Sequence, residues 1–181
     1  MKVITLPQPH VFLIAGGHKT REACSVPAPQ EMRGARFGIH AGVRKPTIAE
    51  LCRIMGHAPG ICCSLSDLEA LRREMAYGAV VATARLRGCV QVLERQDEAH
   101  AREPHFYNEV ICGSITGQPT DALVQFNTDG LGDYSVGRWV WLLEDIEPLD
   151  EPVPARGKPR IWDWEPPHID ADARSRQGEG E

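Results

Sequence analysis

The stretch "KVITLPQPHVFLIAGGHKTREAC", residues 2–24, decides the fold. "KVITL" reads as a short strand that "PQP" ends. Pro9 opens a helix through "HVFLIA", because the N–H that proline lacks is one the first helical turn leaves unpaired anyway. Gly16 and Gly17 then stop the helix in the left-handed conformation that glycine adopts cheaply. "KTREAC" reads as a second strand. Lys19 stands just past the helix end, although a lysine costs nothing on an open surface, and its placement needs a reason.

Outward from this stretch, "ARFGIHAG" alternates, with Phe37, Ile39 and Ala41 on one face and Arg36 and His40 on the other. Residues 44–78 read as a helical insertion. "TIAELCRIM" carries apolar residues at helical spacing with Thr47 as its cap. In "SDLEALRREMAYG", Ser66 and Glu69 form a capping box, Leu68, Leu71 and Met75 a stripe, and Gly78 the stop. "AVVATARLRGCVQVLE" is a long strand bent or broken at Gly88. Residues 95–120 are polar with weak signals, and "ALVQFN" is a further strand. "TDGLGDYSVG" is a turn-rich loop, and "RWVWLLE", apolar on both faces, is a central strand. The prolines of "EPLDEPVPARGKPRIWDWEPP" keep it extended. Several strands, few long helices and one helix between the first two strands predict an α+β fold, a small mixed barrel with helices packed outside.

The chain has 181 residues, 42% hydrophobic and 25% charged, enough for one packed domain. Residues 1–165 make up that domain and 166–181 a flexible tail. No apolar run approaches the roughly 20 residues of a membrane span, and "MKVITLPQPH" does not read as a secretory signal. A cytoplasmic protein is expected, its six cysteines being reduced core thiols. The formal charge of −5 argues against a general nucleic-acid coat. Residues 165–181, however, hold five acids and two arginines, which leaves room for a local basic cleft elsewhere. Cys52, His57, Cys62 and Cys63 form a C-x4-H-x4-C-C array, but the leading position of such a knuckle falls at Ala49. Cys52 also fits the apolar side of its helix. No metal and no cofactor are expected.

"LPQPHVFLIAGGHKTREA" resembles the opening of the ASCH domains, members of the PUA-like superfamily of small β-barrels. "MRGARFGIHAG" is similar to that family's "RG…IHA" segment, "GAVVATARLRGCV" to the strand that follows it, and "GDYSVGRWVWLLEDIEPLDEPVPARGKPRIWDWEPP" to its C-terminal region. The matches run in order across residues 3–165. The resemblance implies a PUA-like mixed β-barrel with a cleft between barrel and helix, and RNA binding or RNA-linked chemistry. Some small members hydrolyse acetylated cytidine, through a lysine and a threonine three residues later. Here Lys19 matches the lysine, Glu22 stands at the threonine position, and Cys24 replaces an arginine two residues beyond.

The residues give Lys19 two readings: compensation of the negative helix end, or a ligand-facing cation in a glycine-lined turn. Glu22 reaches the same pocket only if Lys19 belongs to the turn and not to the strand. The pair is then either a carboxylate base held by an ammonium or a plain salt bridge. Thr20 sits beside them, facing with Glu22. His40, opposite the apolar face, is a hydrogen-bonded structural histidine or a cleft residue. In "GLGDYSVGR", Gly132 offers backbone N–H, Tyr134 a stacking ring, Ser135 a hydroxyl and Arg138 a fork for phosphate; the alternative is a hairpin turn serving geometry alone. Trp139 and Trp141 share a face and belong to the core, and Trp162 and Trp164 pack the barrel shut.

The leading expectation is an RNA- or nucleotide-binding protein using Lys19, Thr20, Arg33, His40, Gly132, Tyr134 and Arg138. The second is a hydrolase acting on RNA or a modified nucleoside through Lys19, Glu22, Tyr134 and Ser135. The third is a protein-interaction module using the 44–78 insertion and the charged tail.

Overall fold

In the computed structural model, which describes residues 1–56, 64–96, 109–112, 124–127 and 129–165, the opening stretch folds as strand, helix and strand. β1 (Lys2–Leu6) leads into α1 (His10–Ala15) and then β2 (Arg21–Cys24). Gly17 takes a φ of 74°, and the N–H groups of both His18 and Lys19 turn back to the Leu13 carbonyl at 2.8 and 3.0 Å. The helix end therefore captures Lys19 in its closing turn, and the strand begins two residues later than the sequence pattern predicts. α1 buries Val11, Leu13 and Ile14.

β3 (Arg36–Ala41) runs parallel to β1, with Val3 opposite Gly38 and Leu6 opposite Ala41. α2 (Ile48–Met55) and α3 (Leu65–Glu74) follow as the expected helical insertion. Thr47 caps α2 in a reciprocal box with Glu50. The box on α3 is Ser64 with Asp67, not Ser66 with Glu69, because the helix starts a half-turn earlier, so that Ser64 is the cap and Asp67 the third helical residue. Gly78 does not stop α3 either. The helix ends at Glu74, and Gly78, with φ of 64°, hands the chain to β4 (Ala79–Gln96). The two helices bury Leu51, Ile54, Met55, Leu68 and Met75 against Leu13 of α1 and Leu131 of a later loop. Cys52 is exposed, contrary to the apolar placement predicted for it, since the buried stripe of α2 is formed by Leu51, Ile54 and Met55. His57, Cys62 and Cys63 lie outside the described residues.

β4 is one continuous strand. It pairs from Ala79 to Gln91 with β7 (Trp139–Pro154), and the register slips at Val80/Ala82, Thr83/Arg85 and Leu86/Gly88. Such bulges add an unpaired residue and increase local twist, so the strand bends without breaking. The slip at Gly88 lies where the sequence predicts a bend. β5 (Glu109–Cys112) and β6 (Val124–Asn127) extend the far end of β4 as a hairpin ladder, and β8 (Ile161–Asp163) adds to β1. The path is β2-β7-β4-β3-β1-β8.

This is an α+β fold, a mixed sheet coiled into a half-barrel with helices on its outside. Phe37, Ile39, Leu86 and Trp141 fill the inside of the curve. Trp162 packs with Val3 and Val80 and with the half-buried Trp164, closing the β8 end. The sheet path ends on β2 at one side and β8 at the other, so the half-barrel stays open between them. Among the described residues, no helix is long and apolar enough to cross a membrane. Residues 166–181 lie outside the described part.

Candidate functional site

The two sheet edges face each other across a cavity of about 390 Å³, within the usual range for small-ligand pockets. β1 and the start of β8 form one wall, β2 and Trp141 of β7 the other, and Gly132 and Asp133 part of the rim. Deeper in, an apolar space with no room for water continues past Glu22 toward Phe37 and Leu143. Glu22 therefore stands on the border between a solvent-filled hollow and a dry core.

Lys19 and Glu22 form an ion pair at the cavity floor, the ammonium 1% exposed and the carboxylate side chain 10%. Pairing is possible because Lys19 sits in the turn and not on the strand, the condition under which residues three apart can meet. The ammonium also donates to His10 Nδ1 at 3.1 Å, which requires that ring nitrogen to be unprotonated. Burial, aided by the nearby charges of Lys19 and Arg53, lowers the His10 pKa from 6.5 to about 3, while a hydrogen bond with the Leu131 backbone opposes this. His10 is thus a neutral acceptor at every ordinary pH. Lysine has three N–H donors, and among the described residues His10 and Glu22 take two of them. One donor of Lys19 and the second oxygen of Glu22 remain for a guest. A buried pair of this kind contributes little net stability once desolvation is counted.

Arg138 is the cation of the opposite rim. Its Nε lies 3.4 Å from Asp133, half-exposed, so the guanidinium is held near the mouth by a weak pair. Arg160 lines the mouth from the β8 side with φ of 64°, an uncommon conformation for a bulky residue. Its carbonyl accepts from the Thr5 N–H at 3.1 Å, which helps hold it. Trp141 presents an apolar wall while its indole N–H donates to the Val26 carbonyl at 3.2 Å. Cys24 also lines the cavity, its thiol pushed up to about 12, first by burial and then by Glu22 and Cys89. It is no nucleophile near neutrality.

Of the residues the sequence singles out, Lys19, Glu22, Gly132 and Arg138 share this cavity. The others lie elsewhere. Thr20 is exposed and outside the cavity lining, and its carbonyl accepts from Leu143 N–H at 2.9 Å. Tyr134 is buried, its hydroxyl donating to Asp129 at 2.8 Å; burial raises its pKa further, so its ring packs the loop and has no free face for stacking. Ser135 is exposed and bonded to Asp133. Arg33 is half-buried beside Leu86 of β4, away from the cavity lining. His40 is 1% exposed, not on a polar face: the chain from Ala155 to Gly157 covers what the alternation leaves as the outer side of β3. Its Nε2 donates to the Ala155 carbonyl at 3.1 Å, and Trp162 meets the ring edge-on at 5.7 Å.

His10 and Arg160 line the cavity, and sequence reasoning passes over both. The signal for His10 is its spacing, three residues ahead of Leu13, whose carbonyl anchors the Lys19 turn; side chains on a helix lean toward its N-terminus and over neighbours three apart. For Arg160 no sequence signal exists, since only the pairing of β8 with β1 brings it to the cavity.

No family model matches the sequence, and no curated protein matches it. Among solved structures the chain is similar to one described as the crystal structure of ASCH from Zymomonas mobilis. That likeness has 15% identity and a TM-score of 0.42, and covers 91% of this chain and 87% of the other.

Proposed function

We propose that the protein binds a nucleotide, either free or as one unstacked unit of an RNA strand, in the cavity between β2 and β8. The observation that carries this reading is the polar floor. Lys19 offers a donor and Glu22 an acceptor side by side, already charge-neutral with each other. A base edge presents adjacent donors and acceptors and fits such a floor without bringing a charge of its own. Trp141 supplies an apolar wall for the ring, and the arginines at the mouth, Arg138 and Arg160, suit a phosphate outside it.

Titration of the four nucleoside 5′-monophosphates, followed by the NMR signal of the Trp141 indole N–H, tests the reading. A saturable shift that Lys19→Met abolishes is expected. Lack of any shift with all four, in folded protein, overturns it.

The position of Glu22 favours one second reading, a hydrolase acting on RNA or a modified nucleoside. A buried carboxylate with one oxygen turned to a cavity, and its partner ammonium pinned by His10, is arranged to take a proton from water. Water is the nucleophile in that case, because the Cys24 thiol is held protonated and the Ser135 hydroxyl is engaged outside the cavity. Incubation with acetylated cytidine and RNA panels, read by mass spectrometry, separates the two. Turnover lost in Glu22→Gln supports the hydrolase; intact binding without turnover leaves the first reading standing.

A further inference from the structure

Beside the cavity mouth the segment Ala155–Arg160, "ARGKPR", crosses the outside of β1 and β3 between β7 and β8. Its backbone is tied down along its length. The Ala155 N–H donates to the Gly78 carbonyl at 3.0 Å, and the Ala155 carbonyl accepts from His40. The Lys158 carbonyl accepts from the Thr5 hydroxyl at 2.7 Å, and the Arg160 carbonyl from the Thr5 N–H at 3.1 Å. Gly157 lies so close to the His40 ring that a Cβ there would sit 2.2 Å from Cε1. These ties fall on the inward side of the strap. Arg156, Lys158 and Arg160 alternate with the small residues and are all exposed.

None of the three has an ion-pair partner among the described residues. Asp163, the acid whose field reaches Lys158, is itself tied to Lys2 at 2.9 Å. Elsewhere on the sheet surface, Arg36 and Arg85 pair with Glu147 and Asp145. Fixing three cations in a row without neutralising them costs self-repulsion, so a polyanion is their natural complement. Charges at every second residue of an extended chain stand about 6–7 Å apart, comparable to the step between phosphates of an extended single strand. The row is also continuous with the cavity, since Arg160 belongs to both.

We propose that this strap is a track for the phosphodiester backbone of a single-stranded nucleic acid whose one splayed nucleotide occupies the cavity. The inference rests on the reading of the cavity as a nucleotide pocket, because the base seated there is the point from which the strand leads away along Lys158 and Arg156. The partner is therefore a strand and not a free nucleotide. Arg160 contacts the phosphate nearest the pocket, and the two outer cations contact the next ones.

The test uses labelled single-stranded RNA of roughly 4 to 16 nucleotides, read by fluorescence anisotropy across a salt series, beside a titration with the four mononucleotides. The variant is Arg156→Gln with Lys158→Gln, two exposed side chains outside the cavity lining. Expected for wild type is tighter binding of the oligomer than of any mononucleotide. Its log–log salt slope should be near −2, about 0.7 per phosphate engaged. The double variant should bind mononucleotides unchanged, lose roughly tenfold or more in oligomer affinity and flatten the slope by about 1.4. Unchanged oligomer affinity and slope in the double variant overturn the strap and leave the pocket intact. Failure of wild type to bind any mononucleotide overturns the pocket reading and, with it, the anchored strand proposed here. Oligomer binding lost in the double variant but blind to salt would assign the strap to shape and not to phosphate, and would equally overturn the proposal.

Discussion

Lys19 and His40 are both polar, both singled out by the sequence and both 1% exposed, yet the fold uses them in opposite ways. Lys19 sits at a helix end where the sheet stays open, next to a cavity, with two protein partners and a donor to spare. His40 sits near the end of β3 where a returning strap covers the sheet, with one carbonyl partner and a glycine pressed against its ring. Burial of a polar group therefore does not by itself mark a site. What separates the two is whether the chain that covers the group also leaves room beside it. That contrast is open to measurement.

Lys19→Met should have the largest effect. It leaves the Glu22 carboxylate buried without a partner, a loss of about 3–5 kcal/mol in urea unfolding. Adding Glu22→Leu should restore much of that, because a charge-free floor carries no desolvation penalty. A single variant as stable as wild type would mean that the pair is solvated, and the contrast with His40 would vanish.

Gly157→Ala comes next. The new methyl meets the imidazole of His40 far inside contact distance, so ring or strap must move. A loss of about 1–3 kcal/mol in thermal unfolding is expected. In the background of His40→Ala, which removes the obstructing ring, the same substitution should cost much less. Equal costs in both backgrounds would show that the strap does not rest on that ring.

Acid should reveal the histidines. Burial lowers the pKa of both, His10 to about 3, so the native state keeps them neutral while the unfolded chain takes up a proton near 6.5. Their contribution is thus complete above pH 6.5 and declines as the pH falls from there toward the folded value, by at most about 1.4 kcal/mol per pH unit for each group. His10→Asn keeps an acceptor for Lys19 and removes the titration. The stability difference between wild type and variant should shrink or reverse between pH 6.5 and 4. Parallel pH profiles would show that the ring titrates in solvent.

Arg138→Gln is the mildest change. Its pair with the half-exposed Asp133 is worth under about 1 kcal/mol, so stability should stay within about 0.5 kcal/mol. Mononucleotide affinity should fall about tenfold, the loss of one charge-assisted contact. A drop in stability without a drop in affinity would move Arg138 from the mouth of the pocket to its scaffold.

Local signals in residues 2–24 were sufficient for the strand, the helix and its glycine stop, because each rests on contacts a few residues apart; they ran the second strand two residues too far back and so left the place of Lys19 open. The long strand and its bend at Gly88 were legible for the same reason, as was the central place of "RWVWLLE". The α3 cap was misplaced by two residues since Ser64 and Ser66 offer the same chemistry, and only the real start of the helix chooses between them. Of the residues that stand out in the sequence, Lys19, Glu22, Gly132 and Arg138 line one cavity, while Thr20, Arg33, His40, Tyr134 and Ser135 lie away from it. Tyr134 looks like a stacking ring in sequence, but Asp129, five residues back, takes its hydroxyl and draws it into the loop.

The chain's own pattern was enough for the class of fold and for the glycine stop after the first helix, where backbone preference and neighbouring side chains suffice; whether Lys19 could meet Glu22 was decided only when the turn placed Lys19 ahead of the strand. Only the assembled sheet seals His40, enlists His10 and brings Arg160, remote in sequence from Lys19, to meet it across one cavity. The physical reason is that a sheet's curvature and the meeting of its two edges are set by register shifts and strand order summed over the whole barrel. No local stretch of residues carries that sum.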